Sequence, residues 1–231
     1  MINLKNIFIA TIILSILTIG ITFRFYNLNI ENFWIDEMVT FWVSDPNITF
    51  NETLKRNIET DLHFFFNLIL KLYFSLTSYE ISYARYLPVA LSILSIFSVF
   101  YLSVILKTKN YIFLLFIISF NIYLIKYAQE LRSYSLIFFL TSVSLILFFK
   151  ITDNNNNNKK LNTFFLIIFK ILIVLTHIYG LIIIFSFIVF DFLTYYKFKK
   201  KKYLFTFIKF NIRFIFLNIF NSLSQNYKSY S

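Results

Sequence analysis

From Ile7 to Phe23 the chain runs through 17 residues without a charge, and stretches of this kind return along most of its length. Crossing the hydrocarbon of a bilayer takes about 20 apolar residues in a helix, so these runs decide the class of fold before any other feature is read. Further spans are expected from about Tyr86 to Leu106, Tyr111 to Ile125, Ser133 to Phe149, Leu161 to Thr176 and Ile178 to Tyr196. Tyr203 to Phe220 is a seventh apolar segment, interrupted by Lys209 and Arg213. The first run has no small-residue cleavage site behind it and is followed by other spans, so it reads as a span rather than a signal peptide. The expected fold is all-α: a polytopic membrane protein of about six to seven transmembrane helices. It is membrane-embedded over residues 1–220, with a polar tail at 221–231.

Composition supports this and removes alternatives. Apolar residues make up 58% of the chain and charged residues 14%, where a soluble domain carries about 25%. That is too little polar surface for a water-soluble exterior and too much apolar residue for disorder. The net charge of +11 sits between apolar stretches rather than on one amphipathic patch, which points to lipid and away from nucleic acid. With no cysteine, disulfides and thiolate metal sites are excluded, and with two glycines far apart there is no glycine-rich phosphate loop. The 33 Phe, with many Ile, Asn, Lys and Tyr, are the composition an AT-rich genome produces. Trp, His, Asp, Glu, Arg, Gln and Pro therefore carry more information than Phe or Asn.

Residues 31–61 hold seven of the 11 acids against two bases, and the remainder holds four acids and 20 bases. The acidic part belongs to a long loop, residues 24–85, lying outside the cytoplasm. Residues 63–76 (HFFFNLILKLYFSL) are apolar but short, with Asn67 and Lys71 one turn apart, and read as an interfacial helix within that loop. With this assignment Lys5, Lys107, Lys109, Lys150, Lys159, Lys160 and the run ending at Lys202 fall on one side, which the positive-inside rule makes the cytoplasm. The Asn154–Asn158 run is a low-complexity stretch on that side.

Five polar clusters then emerge together on the outer side: Trp34-Ile35-Asp36-Glu37, Asp61-Leu62-His63, Ala84-Arg85, Gln129-Glu130-Leu131-Arg132-Ser133-Tyr134 and Thr176-His177-Ile178-Tyr179-Gly180. Each alone has a plain explanation, since Trp anchors at interfaces and Arg snorkels from helix ends. Carboxylates, imidazoles and guanidinia gathered at a lipid boundary are costly and mark a functional site. Such a set can supply a carboxylate as general base toward an acceptor hydroxyl, arginines to bind a departing phosphate, and a histidine with carboxylates to hold a divalent cation.

In order and spacing, from about residue 20 to 195, these clusters resemble the N-terminal portion of the integral-membrane C-type glycosyltransferases related to protein O-mannosyltransferases and to bacterial lipid A aminoarabinose transferases. The resemblance rests on Asp36-Glu37 opening the outer loop and on Asp61-Leu62-His63 ahead of the interfacial helix. It continues in Arg85 at the second span, Gln129 to Tyr134 between the third and fourth, and Thr176 to Gly180 between the fifth and sixth. Phe64 and Phe65 stand where the family has two prolines. The family is longer, so the chain is expected to be a fragment, a frameshifted product or half of a split protein.

The resemblance implies a glycosyltransferase in the bacterial inner membrane with its site facing outward. It takes a sugar from a polyprenyl-phosphate donor to a glycan, lipid or protein acceptor, with inversion at the anomeric carbon. It makes Asp36 the catalytic base with Glu37 beside it. Asp61, Arg85, Gln129, Glu130, Arg132 and Tyr134 are expected to bind substrate, and His63 and His177 to hold a divalent metal cation. The rival readings are a transporter or flippase of lipid-linked sugars, and an inactive remnant.

Overall fold

The computed structural model describes residues 4–60, 63–152 and 158–198. The lysines from Lys199 onward, the seventh apolar segment, the polar tail, Asp61 and most of the Asn154–Asn158 run lie outside the described residues. Among the described residues every regular element is an α-helix.

The first helix, α1 (Leu4–Phe25), covers the opening apolar run. Its threonines are tolerated because Thr11 and Thr22 donate to the carbonyls of Ile7 and Thr18, one turn back. The chain leaves α1 through Asn27, whose φ of 60° is the left-handed conformation that asparagine adopts most readily after glycine. Four helices then fill the segment between α1 and the next long helix: α2 (Ile35–Val43), α3 (Phe50–Thr60), α4 (Phe64–Leu76) and α5 (Ile81–Ala84). An aromatic cluster joins α2 to α4 and the turn that follows it. Phe41 stacks on Tyr79 at 4.2 Å, and Phe74 meets both rings edge-on.

The expected interfacial helix is α4, whose 13 residues reach about 20 Å, short of the hydrocarbon thickness. Its polar pair faces α3. Asn67 donates to Asn57 Oδ1 at 2.7 Å, and Lys71 donates to Thr53 Oγ1 at 2.9 Å and the Ile48 carbonyl at 2.6 Å.

After α5 come α6 (Tyr86–Ile105), α7 (Tyr111–Phe120), α8 (Ile122–Gln129), α9 (Tyr134–Thr152), α10 (Lys159–Thr176) and α11 (Gly180–Phe198). α6 ends without glycine. Lys107 takes φ 51°, and the N–H groups of Lys107 and Thr108 close back on Val104 and Ser103, a Schellman cap with lysine in the strained place.

Among the described residues three helices are long and apolar enough to cross a membrane: α1, α5 with α6 (Ile81–Ile105), and α9. The continuous third span expected from Tyr111 to Ile125 is instead broken, and α7 and α8 meet at a 48° bend; counted together they make a fourth span. The break is Asn121. Its backbone is extended, and its side chain accepts from the N–H groups of Tyr123 and Leu124, capping a new helix. α10 carries Lys159, Lys160 and Lys170 in its 18 residues, and the stretch of α11 over Gly180–Phe190 is apolar. Six to seven spans are thus not reached among the described residues.

The chain divides into two compact units, residues 1–180 and 181–231. Of the second, the described part is the helix α11 beyond Gly180. In the first unit α6 packs on α7, α8 and α9, α9 on α10, and α1 on α7 and α8. Ile96, Leu115 and Ile118 form a core between α1, α6 and α7, flanked by Ile13, Leu17 and Phe100. The α1–α7 crossing is close because Gly20 sits there: a Cβ on Gly20 would lie 2.7 Å from the Ser119 Cβ. Gly180 serves a similar close approach, since a Cβ there would meet the Ile173 carbonyl at 2.5 Å.

Candidate active site

Glu37 stands in the first turn of α2, where a carboxylate suits the helix dipole, and the Trp34 N–H points to it at 3.4 Å. The side chain is fully buried. Arg85, at the start of α6, takes both carboxylate oxygens, Nε to Oε1 at 3.0 Å and Nη2 to Oε2 at 2.7 Å. The other guanidinium N–H groups reach the carbonyls of Leu28, Glu31 and Asn32. The Leu131 N–H adds a fourth bond to Glu37 at 2.6 Å. All five donors of Arg85 thus have acceptors. The sequence reading set Arg85 at the substrate and Glu37 at the reaction. In this arrangement both are instead turned inward, with no donor left for a phosphate and no carboxylate oxygen left for an acceptor hydroxyl. They form a positioning pair that ties the loop after α1, the start of α2, the start of α6 and the approach to α9.

Asp36 faces another way. Its side chain is 46% exposed and lies 3.4 Å from Arg132 Nη1. Arg132 is largely buried, with its guanidinium 5.8 Å from the Trp34 ring and 6.0 Å from the Tyr134 ring. A half-exposed carboxylate thus lies against a largely buried cation that has two aromatic rings within about 6 Å.

The histidines meet behind it. The rings of His63 and His177 are 4.4 Å apart between centroids, with Tyr134 6.0 Å from His177 and Tyr179 stacked on it at 4.6 Å. The Thr176 carbonyl and Ser133 Oγ lie 3.1 and 2.8 Å from His63 Nδ1, and His177 Nδ1 accepts from the Tyr179 N–H at 3.1 Å. The two imidazoles expected to hold a divalent cation thus lie side by side. Among the described residues no three His, Asp or Glu side chains gather into a metal-binding group. Asp61 lies outside the described residues.

Gln129, expected at the substrate, instead caps α1. Its Nε2 donates among the carbonyls of Phe23, Arg24 and Tyr26, at 3.1, 3.4 and 2.8 Å. Glu130 is half-buried, and burial pushes its carboxyl above the ordinary range; Lys126 opposes this and Glu37 adds to it. Tyr134 stands between Arg132 and His177.

One structural residue escaped the sequence reading. Arg24 is fully buried in the last turn of α1. It donates to Ser92 Oγ and to the carbonyls of Gly20, Ile118 and Ser119, and so satisfies the end of α7 that the break at Asn121 leaves open. The signal was an arginine closing an apolar run, four residues after its only glycine.

All five polar clusters, so far as the described residues cover them, are thus joined by direct bonds, from α1 to the turn after α10. Compared with models of protein families, with curated proteins and with solved structures, the chain matches none.

Proposed function

We propose that this chain is the membrane core of a glycosyltransferase. It moves a sugar from a polyprenyl-phosphate donor to an acceptor hydroxyl on the outer side of a bacterial inner membrane. The observation that carries this reading is the Asp36–Arg132 pair: a half-exposed carboxylate 3.4 Å from a guanidinium, where the outer segments meet. Transfer needs these two chemistries side by side.

In this reading Asp36 takes the proton of the acceptor hydroxyl as its oxygen bonds to the anomeric carbon. The bond from that carbon to the phosphate oxygen breaks, and the electron pair leaves with polyprenyl phosphate. Arg132 meets the departing phosphate with its planar fork, exchanging its contact with Asp36 for two to phosphate oxygens. Trp34 and Tyr134 keep the guanidinium in place. Glu37 and Arg85 hold the first turn of α2, and with it Asp36, against the start of α6.

Transfer of a radiolabelled sugar in membranes containing the chain tests it. Asp36→Asn is expected to lower turnover by roughly 100- to 10,000-fold, the range of a general base, while donor binding persists. Turnover within a few-fold of the unchanged chain would overturn the reading.

A further inference from the structure

We infer that α2 lies in the outer boundary of the bilayer, its apolar face set among lipid headgroups and upper acyl chains. The inference is independent of the proposed transfer reaction, and the experiment below requires no activity.

The first observation is an inverted pattern. α2 buries Glu37, Thr40 and Val43 against the chain, while Ile35, Met38 and Trp42 are 78, 55 and 43% exposed. At about 100° per residue the two sets lie on opposite sides of the helix. A helix in water hides its apolar side, and this one presents it. The second is depth. Arg85 immediately precedes α6, part of a candidate span, and its grip on Glu37 fixes the first turn of α2 at the level where that helix begins. The same level carries the exposed rings of Phe25, Tyr83 and Tyr86 in mutual contact, at the ends of two candidate spans where aromatic belts form.

Charge selects lipid over a second protein surface. The two charged residues of α2, Asp36 and Glu37, each face an arginine of this chain, so the outward face is neutral. Beside it Lys55 of α3 is an exposed cation suited to a lipid phosphate, while Arg56 is paired with Glu52 at 3.2 Å, lies 4.1 Å over the Trp42 ring and donates to the Trp42 carbonyl. The other tryptophan, Trp34, precedes the helix and is also exposed.

The chain's two tryptophans are both at α2, and tryptophan emission excited apart from its 16 tyrosines reports on this helix and its N-cap. The unchanged chain is reconstituted in phosphatidylcholine nanodiscs carrying bromine either near the headgroup or near the acyl-chain ends. Fluorescence is expected to fall more with the shallow bromines than with the deep ones, and acrylamide from water is expected to quench weakly. Trp34→Phe, which leaves Trp42, is expected to keep the same order. Strong acrylamide quenching with no bromolipid effect would place α2 in water and overturn the inference. So would shielding from both quenchers, as under a second copy of the chain, or stronger quenching by the deep bromines.

Discussion

Arg85 holds Glu37 by both carboxylate oxygens, at 3.0 and 2.7 Å, with both side chains nearly or wholly out of solvent. Removing one partner of a buried pair leaves the other charge uncompensated, at about 3–5 kcal/mol. Glu37→Gln and Arg85→Met are each expected to loosen the outer helices by that amount, read as protease cleavage between α2 and α5 in the detergent-solubilised chain. The double variant Glu37→Leu with Arg85→Met, which removes both charges, is expected to be less sensitive than either single change.

Arg132 and Arg85 are expected to separate under the same substitution. Arg132→Lys keeps the charge but loses the planar fork, so binding of a polyprenyl-phosphate sugar should weaken with little change in thermal stability. Arg85→Lys should lower stability by loss of the two-oxygen grip on Glu37. Equal donor affinity of the Arg132→Lys and unchanged chains would remove Arg132 from the phosphate.

Glu130 gives a dependence on pH. Burial raises its carboxyl, so the folded chain holds the proton more tightly than the unfolded chain. That contribution to stability is fully present below the unfolded carboxyl value and is lost as pH rises through the folded one. Glu130→Gln, which has no proton to lose, is expected to flatten this fall. Unfolding midpoints of both chains across the acid range measure it, and parallel curves would contradict it.

The α1–α7 crossing has no room for a methyl group. Gly20→Ala would set a Cβ 2.7 Å from the Ser119 Cβ, and overpacking of this kind costs about 1–3 kcal/mol. Ser119→Gly in the same chain removes the opposing Cβ and is expected to restore part of the loss, read by thermal unfolding in detergent.

The long helices were legible because a charge-free run has few alternatives. α1, α6 and α9 begin and end within about three residues of where the apolar stretches do. The short α4 and the meeting of the outer clusters were legible for a related reason: charges next to lipid must find partners. Asn121 was not, because an asparagine inside an apolar run in an asparagine-rich chain carries little weight until its cap bonds are seen. Nor could adjacent Asp36 and Glu37 be told apart by the usual rule. That rule seeks an apolar inner face, and on α2 the inner face is the one bearing Glu37 and Thr40.

The partners of Glu37 also set an order of assembly. Arg85 lies 48 residues downstream and the Leu131 N–H 94 residues downstream. While the chain grows, α2 emerges long before either, and docking it early would bury a lone carboxylate. The helix must wait at the water's edge until α6 arrives, and it reaches its final fit only when the approach to α9 is in place. Closure of the outer segment is therefore a late, long-range event, slower than the formation of any helix it joins.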